Sequence, residues 1–181
     1  MAQILRDGRV ELIPATTEMI LVELSADGNI AAHLGVSEPA YWPPELNDEE
    51  SFKYALGLLE SGAGSDGWGF YYMVDTSNAS GVGQKASASQ HLVGFGGFKG
   101  VPSPEGQVEI GYSVLTPHRR QGYATAMCRL LIEKSFKEQQ VQEVIATTLP
   151  ALEPSIGVLL NLGFTLVGDT DGIVTYSLQK G

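Results

Sequence analysis

The chain has 181 residues, 43% of them hydrophobic and 18% charged, and its formal net charge is −10. This length and composition predict one globular domain over residues 1–181 and argue against a disordered chain. The acidic charge also argues against nucleic acid as a partner, because proteins that bind nucleic acid present a basic stripe to its phosphates.

Signals for membranes, secretion and metals are missing from the sequence. No stretch approaches the ~20 consecutive apolar residues of a membrane span, and the N-terminus lacks the basic region and apolar core of a secretory signal. Cys128 is the single cysteine, so it cannot form an internal disulfide, and His33, His91 and His118 share no metal-ligand spacing. We therefore expect a cytoplasmic protein without a membrane partner or a bound metal.

The charges are unevenly distributed along the chain. Residues 1–66 hold 12 acidic and three basic residues, a net charge of −9, whereas residues 119–137 hold five of the 11 bases. Two interpretations are open: ordinary solubility with one basic helix, or two binding regions of opposite sign.

The N-terminal half predicts one strand followed by helices. The elements are, in chain order, a strand over 10–13, a helix capped by Thr16 or Thr17, a short helix over 27–34, a proline-rich loop over 37–46, and a helix capped by Asn47 or Asp48.

The C-terminal half predicts most of the sheet. The elements are strands over 68–75, 92–98 and 107–115, a helix over 123–138, a strand over 141–148, a short helix from Pro154 to near Gly163, and strands over 164–168 and 173–178. Met127, Cys128 and Leu131 share one face of the long helix, which predicts that they are buried. Residues 76–90 predict a long surface loop, and residues 169–172 a hairpin turn. This order predicts the α/β (α+β) class, with a mixed sheet and helices packed on it.

Residues 81–86 match a dinucleotide-binding fingerprint, Gly-x-Gly-x-x-Ala. That motif requires a strand before it and a helix after it, whereas a Ser-rich loop surrounds it here. We interpret the match as chance. The alternative hypothesis, that the chain is a nucleotide-binding protein of another fold, rests on this match alone.

Residues 107–128 are the informative segment: a strand, a proline break, a basic turn, one glycine and a helix. A helix start gathers unpaired backbone N–H groups at the positive end of its dipole, which suits a phosphate. Gly122 allows close approach because it has no Cβ, and Arg119 and Arg120 add charge-assisted hydrogen bonds. A capped helix with two surface arginines is the plainer alternative.

The turn Arg119-Arg120-Gln121-Gly122-Tyr123-Ala124 resembles the acyl-CoA-binding motif of the GNAT-type N-acetyltransferases, Gln/Arg-x-x-Gly-x-Gly/Ala. Its surroundings resemble the ribosomal-protein (RimJ/RimL-like) branch of that family. The matching features are Pro14-Ala15-Thr16, Glu109-Ile110-Gly111-Tyr112, Tyr123-Ala124-Thr125, Ser155, Val158-Leu159 and Leu162-Gly163-Phe164. The resemblance extends over nearly the whole chain and is strongest over 107–164.

The resemblance implies an acyltransferase (EC 2.3.1 type) with a mostly antiparallel sheet of about seven strands and helices on both faces. It implies acetyl-CoA as co-substrate, with the backbone of Val114 and Leu115 pairing with the pantetheine arm and Ser155 in the same site. The pyrophosphate would lie on the 119–125 loop, formed by Arg119, Arg120, Gln121, Gly122, Tyr123, Ala124 and Thr125. Acetyl would pass directly to a primary amine of a peptide N-terminus or a small molecule.

Glu109 is the candidate general base, because an amine must lose a proton before it attacks and a carboxylate within reach can accept it. Strand alternation predicts one small, polar face, formed by Gln107, Glu109, Gly111 and Ser113. That face would form the floor of a groove beneath a buried carboxylate. A bulge, which the family often has here, would alter the alternation. The alternative is a strand glutamate paired with a nearby cation.

Two positions depart from the family's pattern. Leu152 replaces an Asn that helps place the cofactor or a water in many relatives, and Leu159 replaces a Tyr that serves some relatives as general acid. Tyr112, Tyr123 or a water held by Ser113 are the open alternatives for that acid. The departures also motivate another class of function, a non-catalytic acyl-CoA sensor or regulatory module.

Tyr41, Trp42 and Glu45 are the predicted acceptor-side residues, because exposed aromatic rings beside a carboxylate suit a cationic amine. A plain packing loop is the alternative. In the family that this chain resembles, elements equivalent to the acidic residues 1–66 border the acceptor, which favours a cationic one. The identity of the amine and a homodimeric state stay open.

Overall fold

The computed structural model describes residues 3–77 and 90–181. The dinucleotide-like match at 81–86 and most of the predicted loop 76–90 lie outside the described residues. None of the helices in the described ranges has the length and apolar character needed to cross a bilayer.

Eight strands among the described residues form one sheet: β1 (Leu5–Asp7), β2 (Val10–Pro14), β3 (Phe70–Asp75), β4 (His91–Phe98), β5 (Gln107–Val114), β6 (Glu143–Thr148), β7 (Thr165–Thr170) and β8 (Ile173–Gln179). The α-helices are α1 (Thr17–Glu23), α2 (Ile30–Leu34), α3 (Glu49–Glu60), α4 (Tyr123–Lys137) and α5 (Glu153–Asn161). Single 3₁₀ turns cover Ser65–Gly67 and Thr116–His118.

The sheet has the order β1-β2-β3-β4-β5-β6-β8-β7, and every neighbouring pair is antiparallel except β5 and β6. The predicted fold class is confirmed. The sequence predicted about seven strands, and the additional one is β1. Three residues are too few to show a hydrophobic alternation, so the sequence does not reveal β1, which is recognised as a strand only by its pairing with β2.

β5 and β6 separate soon after they meet. Their register extends only from Gln107–Glu143 to Glu109–Ile145, although both strands continue. On its other side β5 stays paired with β4 as far as Val114 without a shift in register, so this pairing contains no bulge. We call the opening between β5 and β6 beyond Glu109 the β5–β6 gap.

Each face of the sheet buries its own core. One core contains Met127, Cys128 and Leu131 of α4, all fully buried, which confirms the predicted helix face. The other core joins residues of α1, α2 and α3 to Tyr72 and Phe95 of the sheet. The β5–β6 gap thus lies in a sheet that is braced by helices on both faces.

Local hydrogen bonds decide where the helices begin. Thr16 caps α1 and Asp48 caps α3, so one of each pair of predicted caps is correct. The short helix begins at Ile30 rather than Asp27, because the Asn29 side chain accepts a hydrogen bond from the Ala32 N–H at 2.9 Å.

Candidate functional site

The start of α4 presents open backbone donors. Gly122 is the N-cap with φ 87°, and within the described chain no side chain caps this helix. The first intrahelical bond runs from the Ala126 N–H to the Gly122 carbonyl, so the N–H groups of residues 123–125 have no intrahelical acceptor. A Cβ built at Gly122 meets no described atom within 4 Å. The helix start therefore has the backbone donors and the free space that a phosphate group needs.

Contacts from residues that are distant along the chain hold this turn in place. The Arg9 guanidinium lies 4.4 Å from the centre of the Tyr123 ring and donates to the Gln121 carbonyl at 2.9 Å. The Tyr123 hydroxyl donates to Asp75 at 2.7 Å. Burial, reinforced by Asp75, raises the pKa of Tyr123 to about 12. The Tyr123 hydroxyl is thus hydrogen-bonded to a residue of β3, which lies two strands away from β5 in the sheet.

The predicted cofactor residues Arg119 and Arg120 differ in their contacts. Arg119 donates to the Val114 carbonyl at 3.1 Å and to the Glu45 carboxylate at 2.9 Å. Arg120 is exposed, with φ 60°. The Leu115 N–H donates to the Val93 carbonyl at 2.9 Å, so groups of the 114–115 backbone are already bonded within the chain.

Glu45 binds the loop that the sequence assigned to the cofactor. Besides the contact with Arg119, its carboxylate accepts from Thr116 at 3.1 Å, and its carbonyl accepts from Ser113 at 2.8 Å. Hydrogen bonds from Arg119 and then Thr116 hold the pKa of Glu45 below its usual range. Glu45 therefore connects β5 to the cofactor loop, and Ser113 bonds to protein rather than serving as the floor of an open groove.

Glu109 lies at the mouth of the β5–β6 gap in a three-residue polar cluster. Its Oε1 accepts from Lys99 Nζ at 2.5 Å and from Thr147 Oγ1 at 2.8 Å. The side chain is 26% exposed. The expectation of a buried carboxylate is therefore wrong: the side chain is half-buried, at the last residue of β5 that pairs with β6. The alternative interpretation, a strand glutamate paired with a cation, describes its contacts.

Tyr112 and Ser155 are in contact on the face of β5 opposite to that of Glu109. The Tyr112 hydroxyl lies 3.1 Å from the Ser155 carbonyl and 3.0 Å from its Oγ. Burial is the main cause that raises the pKa of Tyr112 above its usual value. Leu159 of the same helix is fully buried, and Leu152 forms the N-cap of α5 without a side-chain bond.

The predicted acceptor-side aromatics divide into an exposed and a packed residue. Tyr41 is 75% exposed, as expected. Trp42 is half-buried, and its indole N–H lies 3.0 Å from each carboxylate oxygen of Glu23. The expectation that Trp42 is exposed is wrong, because Glu23 and Tyr72 enclose its ring from α1 and β3. Burial raises the pKa of Glu23 to about 7, which the polar groups of Trp42 and Tyr72 partly oppose.

Several site residues had no local signal in the sequence. Lys99 directly follows an apolar strand, where a lysine is ordinarily solvated, and Thr147 is one of two adjacent threonines at the end of β6. Arg9 belongs to the turn between β1 and β2 and Asp75 to β3, both far from the basic turn along the chain. Only the sheet register brings these residues to the site. Within residues 3–77 and 90–181 no group of three or more His, Cys, Asp or Glu side chains could hold a metal ion.

Comparisons with known proteins agree with this architecture. A family model described as an acetyltransferase (GNAT) domain matches residues 18–165. Among curated proteins, an uncharacterized N-acetyltransferase of Bacillus subtilis (strain 168), YjdG, is 25% identical over 163 residues, with 90% of each chain covered.

Solved structures of similar fold include two acetyltransferases whose names state their substrates. A ribosomal-protein-S5-alanine acetyltransferase from Vibrio fischeri superposes with a TM-score of 0.64 at 17% identity, over 98% of this chain and 96% of that one. RimL, a ribosomal L7/L12 alpha-N-protein acetyltransferase in complex with coenzyme A, superposes with a TM-score of 0.61 at 16% identity, over 98% of both chains. At these identities the likeness establishes the fold.

Proposed function

This chain belongs to the GNAT acetyltransferase family, a family of acyltransferase enzymes, and we propose that it transfers acetyl from acetyl-CoA directly to a primary amine. The residues of the 107–164 segment favour the RimJ/RimL-like branch. We place the enzyme in the cytoplasm as part of the same proposal. The observation that supports amine acetylation best is the Glu109 carboxylate, which lies at the gap and already binds a primary ammonium group, that of Lys99.

The start of α4 would hold the pyrophosphate of acetyl-CoA. The N–H groups of residues 123–125 and the free space at Gly122 fit a phosphate, and Arg119 and Arg120 add positive charge. Arg119 would exchange its contact with Glu45 for a phosphate oxygen. The thioester supplies the activated acetyl group.

Glu109 would act as the general base. A protonated amine that enters the gap would meet the carboxylate where Lys99 Nζ meets it now, within hydrogen-bond reach. Removal of one proton leaves a neutral amine with a free electron pair, which is the form that attacks a carbonyl carbon. Thr147 would orient the carboxylate through its hydrogen bond to Oε1.

We assign the general acid to Tyr112 by its position, since the hydroxyls of Tyr112, Tyr123 and Ser113 all have partners in the chain. Tyr123 donates to Asp75 and Ser113 to the Glu45 carbonyl, whereas the partner of Tyr112 is Ser155, a residue of the proposed cofactor site. The Tyr112 hydroxyl is protonated at neutral pH, since burial raises its pKa, and it contacts Ser155 at the start of α5. It would return a proton to the leaving sulfur.

The acceptor would be a cationic primary amine. The net charge of −9 over residues 1–66 attracts cations, and the exposed ring of Tyr41 offers a surface for one. A ribosomal-protein N-terminus, a polyamine, an amino acid and an antibiotic with a primary amine all have this chemistry.

Calorimetric titration with acetyl-CoA, followed by thiol release over a panel of amines and peptide N-termini, tests the proposal. We expect saturable binding and acceptor-dependent release of CoA. A lack of binding at high micromolar acetyl-CoA would overturn the proposal. Binding without turnover on any acceptor would favour the acyl-CoA sensor, which Leu152 and the buried Leu159 make the second candidate.

A further inference from the structure

We propose that Lys99 is an internal acetyl acceptor, so that the chain acetylates its own Lys99 Nζ from acetyl-CoA. This inference rests on the proposed function, because it uses the same base and the same acetyl donor. It follows from the position of one primary amine beside the candidate base.

The ε-amine of Lys99 occupies the position that an acceptor amine requires. It lies 2.5 Å from Glu109 Oε1 and 3.4 Å from Thr147 Oγ1, at the point where β5 and β6 separate. The Lys99 side chain is 37% exposed, so its amine is accessible to a co-substrate from outside. A general base must lie within hydrogen-bond reach of the proton that it removes, and Glu109 does so here.

The backbone holds Lys99 in this position. Its N–H donates to the Glu109 carbonyl at 2.9 Å, and its carbonyl accepts from the Tyr54 hydroxyl at 3.0 Å. A Cβ built at Gly111 would lie 3.6 Å from Lys99 Cε, so the side chain passes over this glycine along β5. Because the backbone N–H and carbonyl of Lys99 are both hydrogen-bonded, its amine moves within the gap only through rotation of the flexible methylene stem.

Three of the four other lysines that the structure describes have contacts that differ from those of Lys99. Lys53 pairs with Glu49 at 2.8 Å and Glu50 at 2.9 Å on the surface of α3. Lys134 lies over the Trp68 ring, and Lys180 donates to the Glu138 carbonyl. Lys53 is a matched comparison, since it too is exposed and bound to carboxylates but lies outside the gap.

The chemical step is balanced without a further reagent. Glu109 takes one proton from the Lys99 ammonium, and the nitrogen then attacks the thioester carbonyl carbon of acetyl-CoA. The C–N bond forms as the C–S bond breaks, Tyr112 gives its proton to the leaving sulfur, and a second nitrogen proton restores the Tyr112 hydroxyl. The products are Nε-acetyl-Lys99 and CoA, and Glu109 returns its proton to water. The amide is neutral, so the modification removes the cation from Glu109.

The test is incubation of the full chain with acetyl-CoA, followed by intact-mass measurement and peptide mapping. We expect one acetyl group per chain at Lys99, at a rate that does not change on dilution of the protein. Lys99→Arg should abolish that site, and Glu109→Gln should slow it by roughly 100-fold or more. Lys53 in the same sample reports the rate of acetylation without a catalyst.

Acetylation of Lys99 no faster than that of Lys53, or unchanged in Glu109→Gln, would overturn the inference. Thermal unfolding of both variants excludes misfolding as the cause of a loss. If Lys99 stays unmodified while an external amine is acetylated, the inference fails and the proposed function stands. If acetyl-CoA does not bind at all, both fail.

Discussion

The two halves of the candidate site are built in different ways. The proposed anion-binding turn at the start of α4 is a contiguous segment, 119–125, whose backbone N–H groups and arginine side chains are the proposed donors. At the β5–β6 gap, Lys99 comes from the residue after β4, Glu109 from β5 and Thr147 from β6. A helix start binds anions wherever it is exposed, whereas the gap exists only because β5 and β6 pair for three residues and then separate.

Glu45 connects the two regions. Its carbonyl accepts from Ser113 of β5, and its carboxylate binds Arg119 of the turn. We therefore expect that a variant of one region changes mainly acetyl-CoA binding or mainly acetyl transfer, with a smaller effect on the other. Variants of each region can establish how far they act separately.

The largest expected effect comes from Glu109→Gln, which tests the gap. We expect acetyl transfer to fall by roughly 10²–10⁴-fold, because the base is lost, while the dissociation constant for acetyl-CoA stays unchanged. Thiol release and calorimetry measure the two quantities. Glu143→Gln is the matched control, since Glu143 is also hydrogen-bonded on a neighbouring strand but accepts from Ser177 and Gln107 outside the gap. Equal losses in binding and turnover would contradict a division of labour between the two regions.

Arg119→Ala tests the turn. Loss of a charge-assisted hydrogen bond should weaken acetyl-CoA binding by roughly 10–100-fold and leave turnover at saturating acetyl-CoA near that of the wild type. Arg129→Ala is the control, because Arg129 also forms one exposed ion pair at 2.9 Å, with Asp7. A drop in turnover that saturating acetyl-CoA does not restore would place Arg119 in the chemical step instead.

Glu23→Gln tests how the loop that contains Trp42 and Glu45 is anchored. Burial raises the pKa of Glu23 from 4.5 to about 7, so the folded chain keeps this proton in a pH range where the unfolded chain loses it. The contribution of Glu23 to stability is therefore complete below pH 4.5 and is lost as the pH rises through 7.

We expect the stability of Glu23→Gln relative to the wild type to rise by about 1–2 kcal/mol between pH 5.5 and pH 8. Denaturant unfolding at both pH values measures the difference. Glu18→Gln, an exposed site on the same helix, controls for the general effect of removing a negative charge. The same difference at both pH values would show that Glu23 titrates normally.

Glu45→Gln should have the smallest effect and assigns Glu45 to one region or the other. If its carboxylate competes with phosphate for Arg119, its loss should tighten acetyl-CoA binding by about two- to five-fold, the size typical of an exposed ion pair. Glu38→Gln, in the same loop, is the control. A raised Michaelis constant for a cationic acceptor with unchanged acetyl-CoA binding would instead support the acceptor-side role that the sequence predicted.

The sequence alone determined the features that depend on near neighbours along the chain. The turn before α4, the buried face of that helix, the alternation of β5 and the hairpin at Asp171-Gly172 were all predictable. Each follows from a side-chain period or from the backbone freedom of glycine, which act over a few residues.

Only the tertiary structure decided which side chains meet. The partner of Glu109 is ten residues away along the chain, and the partners of Trp42 belong to α1 and β3. No local period encodes these distances, because the order and register of eight strands set them. The sequence thus predicted the helix start that we propose as an anion site, and the fold of the sheet decided that a primary amine lies beside the carboxylate at the gap.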